Sequence, residues 1–229
     1  MSALDEAAPA APVQSVDRAL TILELLARDG EAGVTEIAQG LGVGNLRLAG
    51  ATTARLDLVT EARPVCRQLA VDTGETVNIA VRSETSALYL DQVAGSSALQ
   101  PHNWVGQHIP LHATSNGKVL LSEMTESELK AAVRELPRFT DHTITTRSRL
   151  RDDLVAVRKA GYAVAVDELE IGLTAAAAPI RSAHGDIIAS MSISGPTFRL
   201  NDEKLEEAVP MLVAAATEVS HRLGWGQRT

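Results

Sequence analysis

Cysteine, aromatics, basic excess and long apolar runs are all scarce in this chain, and each scarcity excludes something. A single thiol, Cys66, closes no internal disulfide, so the sequence suits a reducing cytosol. Aromatics make up 3% of the 229 residues, so the core must be built from Ala, Val, Leu and Ile. The formal charge of −8 bars the chain as a whole from acting as a polyanion binder; any nucleic-acid contact must come from a local patch. No apolar run approaches the ~20 residues that span a bilayer, so no membrane partner is expected. The start, "MSALDEAAPAAPVQ", has neither the basic n-region nor the apolar stretch of a secretory signal. There is no internal repeat.

What is present reads as helices first and strands later. Residues 1–12 are rich in Ala and Pro and predict a disordered tail. In "VQSVDRALTILELLARDG", Val16, Leu20, Leu23 and Ala27 recur on one helical face, with Ser15 suited to the N-cap and Gly30 to the stop. Thr35 then suits the cap of a short helix over about 36–39, followed by a Gly40–Gly42 turn, which is the opening of a helix-turn-helix. Residues 46–60 predict a linking helix, and Pro64 fits the first turn of a separate helix that ends at Gly74. Strand patterns follow over 75–83, 86–93 and 108–112. Helices are expected after Ser115, behind a Thr125/Glu128 capping box, and from Thr146 to Gly161. Three strands, "YAVAVD", "LTAAAAPI" and "DIIASMSISG", the last two joined by "SAHGD", precede a final helix from Asp202 to about Leu223. Hairpin-linked strands mixed with helices make the large C-terminal part α+β with an antiparallel sheet.

Three segments are candidates for chemistry. "LHATSNGKVLL" opens a helix on a polar turn, where free N–H groups suit an anion or a carbonyl oxygen; the alternative is an ordinary capped helix with Lys118 in solvent. Ser115 and Lys118 also have the spacing of a serine nucleophile and its lysine neighbour, but the companion S-D-N and K-T-G motifs are absent. "TAAAAPI" lines a strand with side chains too small to fill the space above it, which either a helix or a ligand must occupy. In "SMSIS", Ser190, Ser192 and Ser194 share one strand face, so a buried pairing of these two strands makes a small-walled, hydroxyl-lined pocket. Asp167, Glu168 and Glu170 form an acidic turn that is either solvated or paired for acid/base work. His108 and His112 have i,i+4 spacing, but Pro110 between them bars a helical metal pair, and no metal or cofactor is expected.

Taken in order, "VQSVDRALTILELLARDG…VTEIAQGLGV", "PLHATSNGKVLL", "GYAVAVDELEIGLTAAAAPI" and "GDIIASMSISGP" resemble the IclR family of bacterial transcriptional regulators across nearly all of the chain after residue 12. The resemblance implies a winged helix-turn-helix domain over 13–45, a linker helix over 46–60 and a GAF-like antiparallel-sheet effector domain over 61–229. It further implies a cytoplasmic, non-enzymatic homo-oligomer, a dimer or dimer of dimers, that binds palindromic operator DNA under control of a small organic acid. Carried onto this chain, the effector contacts fall on Ser115, Asn116, Asp167, Ala175, Ser192 and Ser194, and a DNA contact on Thr35. Ala175 stands where family members can carry cysteine, which removes a thiol and widens the pocket slightly. Serine hydroxyls and a helix start suit a carboxylate. Asp167 would repel one unless it accepts a bond from a ligand hydroxyl or amine. The expected effector is therefore a small hydroxy-, oxo- or amino-acid-like molecule.

The chain departs from the family pattern after Val43, where a recognition helix and a two-stranded wing should follow. Neither is there. Residues 1–50 carry seven acidic side chains against three arginines, a net −4, which does not suit a major-groove reader. Two readings follow. Either the reader is lost and the protein is a metabolite sensor or partner subunit, or Val43 and Asn45 flank a junction from which a DNA-contacting segment is missing. The second expects a Cα–Cα step there well beyond the ~3.8 Å of a trans peptide.

Overall fold

The computed structural model describes residues 45–96 and 102–226, and for 45–57 the backbone alone. The expected tail, the helices of residues 16–39 with their Ser15 and Thr35 caps, and the Val43–Asn45 step lie outside the described residues. Leu58–Thr229 is one compact unit.

One helix, α1 (Asn45–Thr73), replaces the two helices expected on either side of residues 61–63. Pro64 sits inside it rather than at the start of a second helix. Proline there removes one N–H bond to the carbonyl of Thr60, and both residues lie on the exposed face, where a carbonyl without its helical partner is least costly. The opposite face carries Leu58, Ala62, Val65, Cys66, Leu69 and Ala70, all buried.

Strands β1 (Thr76–Ser83), β2 (Ser86–Val93), β3 (His108–Pro110), β4 (Ala163–Val166), β5 (Leu173–Arg181) and β6 (Ile187–Pro196) form one antiparallel sheet in the order β3-β2-β1-β6-β5-β4. After a 3-10 turn at Leu111–Ala113 come the short helices α2 (Ser115–Leu121) and α3 (Glu126–Ala132), then α4 (Arg147–Ala160), and α5 (Asp202–Arg222) closes the unit. The helix ends follow their side chains. Thr125 and Glu128 close a reciprocal capping box at α3, Thr146 caps α4, and Gly161 ends α4 at φ 79°, a left-handed value that a side chain would oppose.

The sheet has a helix-covered face and a second face. On the first, Val77, Ile79 and Val81 of β1, Ala176, Ala178 and Ile180 of β5, and Ala189, Met191 and Ile193 of β6 pack with α1 and α5. Burying each larger side chain contributes about 1.5–3 kcal/mol. One irregularity decides which residues reach the second face. Ile79 pairs with Asp91 but Ala80 pairs with Tyr89, so Leu90 is an extra residue, a β-bulge. Residues 89 and 91 would otherwise share a face. The bulge turns Asp91 toward α1, where it takes a hydrogen bond from Arg63 Nε at 3.0 Å, and leaves Tyr89 on the opposite side with Ala80 and Ala87.

Candidate functional site

On the second face, the alanines and serines of adjacent strands lie side by side. Ala175 pairs with Ser194, Ala177 with Ser192 and Pro179 with Ser190. β1 adds Asn78 opposite Ser192. These side chains are small, so they leave room, and α2 with its preceding turn closes over it. Gly117 makes that closure work, because a Cβ there would run into the backbone of Leu111. Thr114 caps α2, accepting from Gly117 N at 3.1 Å and donating to Pro110 O at 3.1 Å.

The result is a small, partly enclosed cavity between α2 and the sheet. Its polar wall is Asn78, Tyr89, Thr114, Ser115, Glu168, Ser192 and Ser194; its apolar wall is Trp104, Ala113, Ala165, Leu169, Leu173 and Ala175. Two buried asparagines organise the hydroxyls. Asn116 Nδ2 donates to Ser192 Oγ at 2.8 Å and to Tyr89 Oη at 3.1 Å, and Asn78 Nδ2 donates to Ser194 Oγ at 3.1 Å. Burial pushes the Tyr89 phenol pKa up, so the ring keeps its proton at neutral pH.

Beside the cavity lies a buried charge cluster. Lys118, 1% exposed, donates to Glu168 Oε1 at 2.6 Å and to Val164 O at 3.3 Å, and pairs with Asp153 at 3.1 Å. The expectation of Lys118 in solvent is therefore overturned. Its stem threads from α2 between α4 and the end of β4, where only carboxylates and a carbonyl receive it. Burial raises the Glu168 pKa above the ordinary carboxylate range, opposed by the attraction and hydrogen bond of Lys118. The Glu168 backbone is held as well, since its carbonyl accepts from Thr143 Oγ1 at 2.6 Å.

The structure brings four of the six candidate effector residues to the cavity wall: Ser115, Ala175, Ser192 and Ser194. Asn116 stands behind the wall and orients two of its hydroxyls. Asp167 is elsewhere. It adopts φ 57°, and its Oδ1 accepts from Gly172 N at 2.7 Å and Thr197 Oγ1 at 2.8 Å, so its carboxylate holds a loop together. That left-handed turn sends the next residue, Glu168, inward in its place. The Ser115–Lys118 spacing does not mature into a nucleophile and base, because the ammonium is taken by Glu168 and Asp153. His112 is buried and paired with Pro137 O at 3.0 Å, and burial lowers its pKa. Cys66 is buried, and desolvation pushes its thiol up to about 12, which makes it inert.

Sequence reasoning did not find Asn78, Tyr89, Trp104 or the inward role of Glu168. Asn78 had a signal: it is the one amide between Val77 and Ile79 in a strand of buried residues. Tyr89 and Trp104 had another, as two of only six aromatic residues in the chain.

Residues 50–221 match the model of the bacterial transcriptional regulator IclR C-terminal domain, and residues 15–45 match that of the IclR helix-turn-helix domain. The chain is 33% identical over 241 positions to the HTH-type transcriptional regulator BhcR of Paracoccus denitrificans, taking in 91% of this chain and 86% of the relative. That share is about 208 residues, so roughly 30 of the 241 aligned positions are filled by the relative alone. The C-terminal domain of Escherichia coli KdgR superposes with a TM-score of 0.67 at 34% identity, covering 74% of this chain and 99% of that one. The inducer-binding domain of Acinetobacter PobR, a double mutant in complex with 3-hydroxybenzoic acid, does so with a TM-score of 0.65 at 29% identity, covering 69% and 95%.

Proposed function

The chain belongs to the IclR family of bacterial transcriptional regulators, and from that premise we propose that the cavity behind α2 is its effector site and that a small organic acid occupies it. The protein is a regulator with a helix-turn-helix part and a C-terminal ligand-binding part. The observation that carries the reading is the way the asparagines use the hydroxyls. The oxygens of Ser192, Ser194 and Tyr89 already accept from amide N–H groups, so their own protons remain to donate to a ligand. Three neutral donors on one wall suit a carboxylate. Ser115 and Ala175 complete that wall, and Asn116 sets its geometry. PobR, whose inducer-binding domain holds a hydroxybenzoic acid, supports the same ligand class.

In this reading residues 13–45 form the reader with Thr35 at its DNA-facing cap, 46–60 the linker and 61–229 the effector domain. The protein works in the cytoplasm as a dimer or dimer of dimers on a palindromic operator, and it catalyses nothing. Among the described residues no helix is long and apolar enough to cross a membrane. Titration calorimetry with a panel of small hydroxy, oxo and amino acids tests the effector site; binding by neutral or cationic molecules alone would sink it. A gel shift on DNA beside the protein's own gene, with and without the acid that binds, tests the regulator.

A second reading has its own observation. The helix-turn-helix match ends at Asn45, just past Val43 where a recognition helix should follow, and residues 1–50 carry a net −4. A sensor or partner subunit that binds the acid and retards no DNA would fit those facts. The same gel shift decides: retardation supports the reader, and acid binding without any retardation supports the sensor.

A further inference from the structure

The hydroxyl wall explains how one end of an acid is held, and the opposite requirement is written into Glu168. This carboxylate lines the cavity while 8% exposed. Its two oxygens differ. Oε1 is occupied by Lys118 Nζ at 2.6 Å, and Oε2 is buried with no hydrogen-bond partner. Asn78, on the same cavity wall and 1% exposed, likewise has a buried Oδ1 with no partner. A buried acceptor without a donor is costly, and more so when it is charged. Two such acceptors on one cavity wall are a demand for donors. Rotamer freedom does not relieve it, because Glu168 is anchored at both ends: the side chain by Lys118, the backbone by Thr143. The charge balance points the same way. Lys118 is shared between Glu168 and Asp153, so it offers neither its whole charge nor a donor to Glu168 Oε2.

We propose that Glu168 is a specificity-determining residue: its free Oε2 admits acids that carry a hydroxyl or ammonium beside the carboxylate and rejects the matching oxo acids. A ligand alcohol or ammonium donates to Oε2 while its carboxylate receives the protons of Ser192, Ser194 and Tyr89. An oxo group in the same place presents a lone pair to a carboxylate, and both acceptors stay unsatisfied. The inference rests on the effector-site reading above and narrows it from three acid classes to two.

The test uses the full-length protein and matched probes that differ at one group: lactate, alanine and pyruvate, and 3-hydroxybenzoate against benzoate. Calorimetry on the wild type should give affinities for the donor-bearing member of at least one set about tenfold or more above its partner. Glu168→Gln turns its amide oxygen to Lys118 and its Nε2 to the cavity, replacing an acceptor by a donor, so the preference should invert toward pyruvate. Lactate set against alanine separates hydroxyl from ammonium recognition. Equal binding of donor-bearing and oxo or unsubstituted acids by the wild type overturns the proposal while leaving the effector site intact. Binding of no acid from either set overturns the effector-site reading itself, and this inference with it. An unchanged preference in Glu168→Gln also overturns it. If that variant does not fold, the wild-type ratios alone decide.

Discussion

The two faces of the sheet are made by the same strands and serve opposite ends. In β6, Met191 and Ile193 point into an apolar layer under α1 and α5, and the serines point the other way, Ser190 to the carbonyl of Ala80 and Ser192 and Ser194 to asparagine amides and the cavity. In β1, Val77 and Ile79 alternate with Asn78 in the same manner. The apolar face satisfies all its needs by contact. The polar side keeps three buried acceptors, Asn78 Oδ1, Asn116 Oδ1 and Glu168 Oε2, without a hydrogen-bond partner. A face that is incomplete by itself is the one suited to recognition, and the other supplies the stability that lets it remain so.

Substitutions can break this contrast. The largest effect is expected at Lys118, the only cation in the buried cluster beside the cavity. Lys118→Met leaves Glu168 and Asp153 facing each other without compensation, which should cost about 3–5 kcal/mol and appear as a large fall in denaturation midpoint. A variant as stable as wild type would mean that the cluster is solvated. Next comes a matched pair on one strand. Ile193→Ala should cost about 2–5 kcal/mol in chemical denaturation and leave acid affinity unchanged once the protein is folded. Ser192→Ala should cost roughly 1 kcal/mol or less of stability yet weaken acid binding measurably. Equal stability losses at the two positions would erase the distinction between the faces.

The smallest effect concerns pH. Burial holds the folded His112 pKa below its ordinary value, so the folded state resists protonation. Its contribution to stability is present above the ordinary imidazole pKa of about 6.5 and is lost as pH falls from there toward the folded value. Denaturation midpoints between pH 8 and 5 should therefore fall for the wild type more than for His112→Gln. Parallel curves would assign the acid sensitivity to other groups.

The sequence carried the helix-capping signals, the strand order along the chain and the pairing of the alanine and serine strands, because each depends on neighbours within a few residues. Thr125 with Glu128 and Thr146 with Gly161 are such local signals. What stayed hidden depends on distance or on backbone turns. The inward path of Lys118 needs α4 and β4 to be in place. The exchange of Asp167 for Glu168 depends on a left-handed residue that an aspartate tolerates but does not announce. Pro64 misled for a different reason: a proline suited to a helix start is equally tolerated mid-helix when the orphaned carbonyl faces water.

The bulge at Leu90 makes β2 a strand of two phases. Before it, odd-numbered residues look toward the cavity; after it, they look toward α1. Tyr89 in the cavity and Asp91 on Arg63 therefore hold a relationship fixed by counting rather than by chemistry. Substituting either residue changes one face only. Deleting Leu90 would remove the bulge yet leave Tyr89 and Asp91, then neighbours, on opposite faces, whereas keeping Leu90 in a strand without the bulge would put both on a single side, so that the cavity and the anchoring of α1 could not both keep their partners. Elsewhere along this strand, the insertion or loss of one residue is a heavier change than the replacement of any one of them.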